Sequence, residues 1–268
     1  MEELINKTQA NILAVTSGKG GVGKSIATVN IAEMLTYSGY RVAVIDADAG
    51  LSNCATLLNE HVSATISGWI NGECYLEDLP HKFDAFTLVA ASNEPGLSNI
   101  QAGQFMSALD QVSNFLMTFN DFIIIDTPAG AGEITLWSLD RAALGLLVLV
   151  DEPTAIADAY RLCKYIYSID PGYPFANIVN FSKNQQSAQS TNERFNNILN
   201  YFLGQKTEHF GYLPASDEIR QLVARQHTLL QNRTVKSELE KEFMYICHNI
   251  IGYFKKDFSY QNKLEQLM

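Results

Sequence analysis

Eight consecutive residues near the amino terminus, Gly18-Lys19-Gly20-Gly21-Val22-Gly23-Lys24-Ser25, restrict this chain more than any other stretch. They follow an apolar run from Asn11 to Ser17 that reads as a buried strand. After them Ile26, Val29, Ala32, Met34 and Leu35 recur at helical spacing. A strand that enters a glycine-rich turn and leaves as a helix can aim successive backbone N–H groups at an anion, and the helix adds the partial positive charge of its amino end. Gly20, Gly21 and Gly23 allow the close backbone approach that a Cβ would obstruct. Lys24 offers a point charge to the β- and γ-phosphates, and the Ser25 hydroxyl is placed to ligate Mg²⁺. An ordinary glycine turn before a helix is the plain alternative, but it seldom assembles all of these residue types in order. The segment from Gly18 to Ile26 is therefore the candidate nucleotide phosphate site.

Two further apolar runs end in carboxylates. Arg41 to Ile45 leads into Asp46-Ala47-Asp48, and Asp121 to Ile125 leads into Asp126. Carboxylates at the carboxyl ends of parallel strands point into the crevice where open α/β sheets bind ligands. An all-apolar central strand closed by Asp126 can accept from Mg²⁺-bound water and from Ser25, so Ser25, Asp46 and Asp126 are the candidate metal ligands. Strand patterns at 86–91, 145–150, 176–181 and 209–213 alternate with helical patterns at 100–117, 155–168, 190–202 and 217–225, and residues 60–82 read as a small helix and loops. That alternation predicts an α/β fold with a mostly parallel twisted sheet and helices on both faces.

The 268 residues suffice for one such domain, and no internal repeat or biased tract divides them. No apolar stretch reaches the length of a membrane span, and the first ten residues, MEELINKTQA, lack the basic and then apolar character of a signal peptide. The expected location is the cytoplasm. Nineteen Lys and Arg stand against 29 Asp and Glu, a net charge of −10, which argues against DNA as the main partner. Cys54, Cys74, Cys163 and Cys247 have no CxxC spacing and read as small apolar residues. The five histidines show no metal-ligand spacing either.

Lys19 extends the loop to Lys-Gly-Gly-x-Gly-Lys-Ser, and in this form the sequence resembles the deviant Walker A (SIMIBI) class of P-loop NTPases, which includes MinD, ParA, FlhG, the arsenical-pump ATPases and the nitrogenase iron protein. The segment Asp46-Ala-Asp48-Ala-Gly-Leu-Ser-Asn53 resembles the first switch of that family, and Thr127-Pro-Ala-Gly-Ala-Gly132 the second. The resemblance implies an ATP/ADP site with Mg²⁺, in which Lys19 crosses a dimer interface to the partner's nucleotide and Asp48 orients the attacking water. Lys19, Lys24 and Asp48 are thus the expected catalytic set. Asn180 matches the asparagine that contacts the base, and Pro214 lies in the backbone turn beside it. The implied function is a slow, partner-stimulated ATPase switch that forms a homodimer on ATP, binds a regulatory protein and controls the position or number of a cellular structure, as FlhG-like and MinD-like proteins do. A DNA-partitioning ATPase of the ParA type and an iron–sulfur carrier ATPase are the alternatives. Asp151 to Tyr160 looks more like FlhG than like MinD, whereas Cys54-Ala55 and Leu58-Asn59 depart from the MinD pattern.

Residues 234–258 form a final amphipathic pattern. Leu239, Phe243, Ile246, Cys247, Ile250, Ile251, Phe254 and Phe258 line one helical face. Two destinations fit this stripe: the protein's own domain, or, as the family resemblance implies, reversible peripheral contact with the inner face of the cell membrane. The polar face mixes acids with bases and lacks the basic bias of a lipid-seeking helix.

Overall fold

A computed structural model describes residues 10–48, 53–84, 86–92, 100–231 and 237–265, the last nine by their backbone alone. Strand β1 (Asn11–Thr16) leads through the glycine loop into helix α1 (Lys24–Tyr37), followed by β2 (Val42–Asp46), α2 (Asn53–Leu57) and α3 (Ile66–Ile70). After a 3₁₀ turn at Leu76–Asp78 come β3 (His81–Phe83), β4 (Phe86–Ala90), α4 (Ala102–Met117), β5 (Phe122–Asp126), α5 (Glu133–Arg141) and β6 (Leu144–Leu149). The chain continues with α6 (Pro153–Ile169), β7 (Phe175–Ser182), α7 (Gln185–Leu203), β8 (Glu208–Pro214), α8 (Asp217–Arg225) and α9 (Glu238–Glu265). Among the described residues the strands form one eight-stranded sheet in the order β3-β4-β2-β5-β1-β6-β7-β8. All its pairings are parallel except that of β3 with β4.

The expected mostly parallel sheet is thus present. Sequence patterning did not mark β3, α2 or α5, which are short and lack a full apolar period. Residues 93–96 of the turn expected over Ser92-Asn-Glu-Pro-Gly, the first-switch residues 49–52 and the amino-terminal segment up to residue 9 lie outside the described residues.

Successive side chains on a strand point to opposite faces, so a sheet covered on both sides needs strands that are apolar throughout. Strand β5 shows the result: Phe122 and Ile124 enter one core while Ile123 and Ile125 enter the other. The first core holds α1, α2, α8 and α9, and the second holds α3 to α7. Helix α1 lies between the sheet and α9, and its residues from Ala27 to Leu35 are all buried. Buried polar groups on α1 find partners in the segment before α9: Leu229 N donates to Asn30 Oδ1 at 2.9 Å, Leu230 N donates to Glu33 Oε2 at 2.9 Å, and the Thr228 hydroxyl donates to Glu33.

The described part of the carboxyl-terminal stripe packs on the protein's own domain. Leu239, Phe243, Ile246, Cys247, Ile250 and Phe254 are each at most 3% exposed and sit in the first core against α1 and β8. The helix also runs to Glu265, beyond the expected end at 258, while residues 232–236 and the Phe258 side chain are outside the described set. Close packing of α9 explains one strand glycine: Gly211 of β8 has φ +139°, and a Cβ there would meet Ile246 at 3.0 Å. Burying five large side chains and a cysteine contributes on the order of 10 kcal/mol before the entropy of ordering the helix is subtracted.

Phe243 is fully buried. Phe243→Ala should lower the unfolding free energy by about 3–5 kcal/mol, which a urea titration followed by circular dichroism would detect as a large fall in midpoint.

Candidate functional site

The loop is shaped by its neighbours as much as by its own glycines. Gly23 has φ +91°, a conformation that L side chains rarely adopt, and a Cβ on it would lie 2.3 Å from Asn180 Nδ2. A Cβ on Gly18 would lie 2.2 Å from the backbone of Asp158 and Ala159 in α6. Ser17 Oγ donates to Lys19 O at 2.8 Å, and Gly130 N, from the loop after β5, donates to Ser17 O at 2.9 Å. Val22 is 4% exposed and anchors the loop in the first core, where Ile26 also packs. Lys24 opens α1 and is 9% exposed, a nearly buried ammonium at the amino end of a helix.

Strand order brings the acids to this loop. Strand β5 lies between β1 and β2, and Asp46 and Asp126 are partners in the parallel register of β2 and β5. Ser25 Oγ donates to Asp126 Oδ2 at 2.5 Å, and Thr28 Oγ1, one helical turn further on, donates to Asp126 Oδ1 at 3.1 Å. Burial pushes the Asp126 carboxyl above the usual range, opposed by the Ser25 hydrogen bond and the charge of Lys24. Asp46 is pushed up to about 8 by burial and then by the charge of Asp126. Its oxygens accept from Cys54 N at 2.9 Å and Asp48 N at 3.2 Å, so Asp46 holds the start and the end of the first-switch segment together. Asp48 is half-buried and accepts from Asn53 Nδ2 at 3.2 Å.

The structure therefore joins Ser25, Asp46, Asp126 and the Gly18–Ser25 loop in one place. This set of oxygen donors, with a serine hydroxyl already against a buried carboxylate, fits a hard divalent cation such as Mg²⁺. Other residues stand elsewhere. Lys19 pairs through Nζ with Glu152 Oε2 at 2.8 Å, both side chains being exposed. Pro214 ends β8, where Ala215 N donates to Ser182 O at 2.8 Å, three strands from β1.

Asn180 has a structural occupation. Its Nδ2 donates to Val22 O at 2.8 Å and its Oδ1 accepts from Phe181 N at 2.8 Å, so the amide ties β7 to the loop. Residues that sequence reasoning missed are Thr28, Cys54 and Glu152. Thr28 was legible, since i+3 from Ser25 shares its helix face. Cys54, whose Sγ donates to Asp126 Oδ2 at 3.6 Å, and Glu152 reach the site only through the fold. Burial beside two carboxylates raises the Cys54 thiol well above its ordinary value.

Asn180→Ala would leave Val22 O without its donor in a buried place. It should cost the nucleotide-free protein about 1–3 kcal/mol of stability, read from chemical denaturation. A residue that served only to touch a base would leave that midpoint unchanged.

Comparison with known proteins agrees with this geometry. Residues 8–251 match the ParA family model, described as an iron-transfer P-loop NTPase of the NUBPL type. The antiactivator FleN of Pseudomonas aeruginosa is 30% identical over 236 residues, covering 86% of this chain and 83% of that protein. In structure, the chain resembles the MinC:MinD cell division complex of Aquifex aeolicus (TM-score 0.74, 24% identity, 91% of this chain and 96% of that one). It also resembles the septum site-determining protein MinD of Pyrococcus horikoshii complexed with Mg-ADP (TM-score 0.71, 20% identity, 90% and 96%). With the loop, the paired aspartates and the sheet order already in place, these matches show that the chain belongs to the ParA/MinD family of P-loop NTPases.

Proposed function

We propose that this protein, read as one ATPase domain, is a Mg²⁺-dependent ATP switch that forms a homodimer on ATP and governs the position or number of a cellular structure through a protein partner. The observation that carries the reading is the Ser25 to Asp126 hydrogen bond at the base of a glycine loop whose helix begins with a nearly buried lysine. The antiactivator FleN as a relative and the MinC:MinD complex as a structural neighbour support a regulatory partner protein. Iron carriage is less well supported, because it calls for accessible paired thiolates, and Cys54, Cys163 and Cys247 are buried.

In this reading the loop N–H groups and Lys24 hold the triphosphate, and Ser25, with Asp126 and Asp46 behind it, holds the cation side of the site. Mg²⁺ supplies charge neutralisation of the β- and γ-phosphate oxygens. Asp48, whose backbone and side chain are steadied by Asp46 and Asn53, orients the attacking water. The loop from Thr127 to Gly132 senses the γ-phosphate, and its tie from Gly130 N to Ser17 O couples it to the phosphate loop. Lys19 completes the site of a second copy. Its bridge to Glu152 is exposed on both sides and worth about 0–1 kcal/mol, so release toward a partner's nucleotide costs little.

Asp48→Ala should bind ATP and keep it, so that the variant accumulates as a dimer on size-exclusion chromatography with Mg·ATP. A variant that remains monomeric with nucleotide bound would contradict the role of Asp48. Lys19→Ala should retain monomer affinity for ATP while losing ATP-dependent dimerisation and turnover. Mixed with the Asp48→Ala protein it should regain phosphate release, because one composite site of the heterodimer then combines an intact Lys19 with an intact Asp48. Heterodimers as inactive as either parent would show that Lys19 acts only within its own subunit.

A further inference from the structure

The residue after Asn180 is conformationally unusual. Phe181 has φ +54°, a left-handed conformation that is rare for a bulky side chain. It sits within a register irregularity, since the regular pairing of β7 with β8 breaks between Val179 and Ser182. Strict alternation along β7 would send Phe181 to the same side as Val179, which is fully buried in the second core. Instead the ring is turned out, 46% exposed, and lies over the phosphate loop: a Cβ built on Gly23 would be 3.6 Å from Phe181 Cζ. Bulges beside active sites commonly re-aim one side chain in this way.

Three observations thus converge on one group. A large apolar ring is held in a strained backbone conformation, is left half in solvent, and borders the carboxyl edge of the sheet, where ligands of open α/β folds bind. Strand β7 is two places from β1 in the sheet, so the ring reaches the loop from the β7 side and offers an exposed aromatic face beside it. Asn180 is meanwhile occupied with Val22 O and Phe181 N, and the Asn180 Oδ1 bond to Phe181 N secures the turn that aims the ring.

We propose that Phe181 is the base-stacking residue of the nucleotide site, binding the purine face of ATP on its exposed ring. The inference rests on the phosphate-loop reading above. Stacking on an aromatic face is tolerant of base identity, so Phe181 contributes affinity for the nucleoside and little choice between purines. The whole energetic effect of removing the ring should fall on ligands that carry a base.

The test compares ATP with inorganic tripolyphosphate, both with Mg²⁺, by competition against a fluorescent nucleotide and by calorimetry on the full chain. Phe181→Leu removes the ring, and Phe181→Gly removes it while adopting a left-handed φ without strain; either folded variant suffices. ATP affinity should fall about tenfold while tripolyphosphate affinity stays within a factor of two, and etheno-ATP should be quenched on binding wild type but much less on binding the variants. Unchanged ATP affinity in a folded variant, or equal weakening of ATP and tripolyphosphate, would overturn the role of Phe181 while leaving the phosphate loop intact. Failure of wild type to bind either ATP or tripolyphosphate would overturn the phosphate-loop reading, and the stacking proposal with it.

Discussion

Two carboxylates, Asp46 and Asp126, face each other at the ends of adjacent parallel strands with almost no access to water. Burial and mutual repulsion disfavour this arrangement, and both groups are pushed toward the neutral form. The surroundings are organised to offset that cost. Ser25 and Thr28 donate to Asp126 from a single face of α1, and the backbone N–H groups of Cys54 and Asp48 donate to Asp46. Because β5 lies next to β1, the helix that supplies those hydroxyls is the one that begins at the phosphate loop. The anion cradle and the acidic pair are therefore two ends of one hydrogen-bonded unit.

That unit has a firm base and an open rim. Helix α1 is packed on the sheet below and on α9 above, and its polar positions Asn30 and Glu33 are bonded to residues 228–230. Burial raises Glu33 as well, a cost met in part by those hydrogen bonds. Lys24 and Ser25 inherit the fixed position of this helix. By contrast, Lys19, Glu152 and Phe181 are substantially exposed. In the function proposed above, the groups assigned to phosphate sit on the packed base, while those assigned to a second chain or a nucleoside sit on the rim, where moving them disrupts little packing.

The carboxyl-terminal helix shows how one amphipathic pattern can serve two ends. Its stripe has the length and apolarity to bind a surface, but it encloses α1 and shields the outer strand β8, whose Gly211 permits the close approach. It packs on the helix that begins at Lys24 and fixes that helix against the sheet.

The local devices were legible in the sequence because they depend on neighbours along the chain. The glycine loop between a strand and a helix, the apolar strands ended by Asp46 and Asp126, and the alternation that yields a parallel sheet all follow from period and turn chemistry over short windows. The edge strand β3 and the short helices α2 and α5 were not legible, since too few residues carry a period there. The tertiary structure alone decided where distant residues meet. Asn180 braces Val22 across 158 residues of chain, Cys54 lies against Asp126, Lys19 finds Glu152, and the last helix turns inward. A periodic pattern states that a face is apolar but not what covers it, and a polar side chain states what it can bond but not with whom; both answers come from strand order and packing.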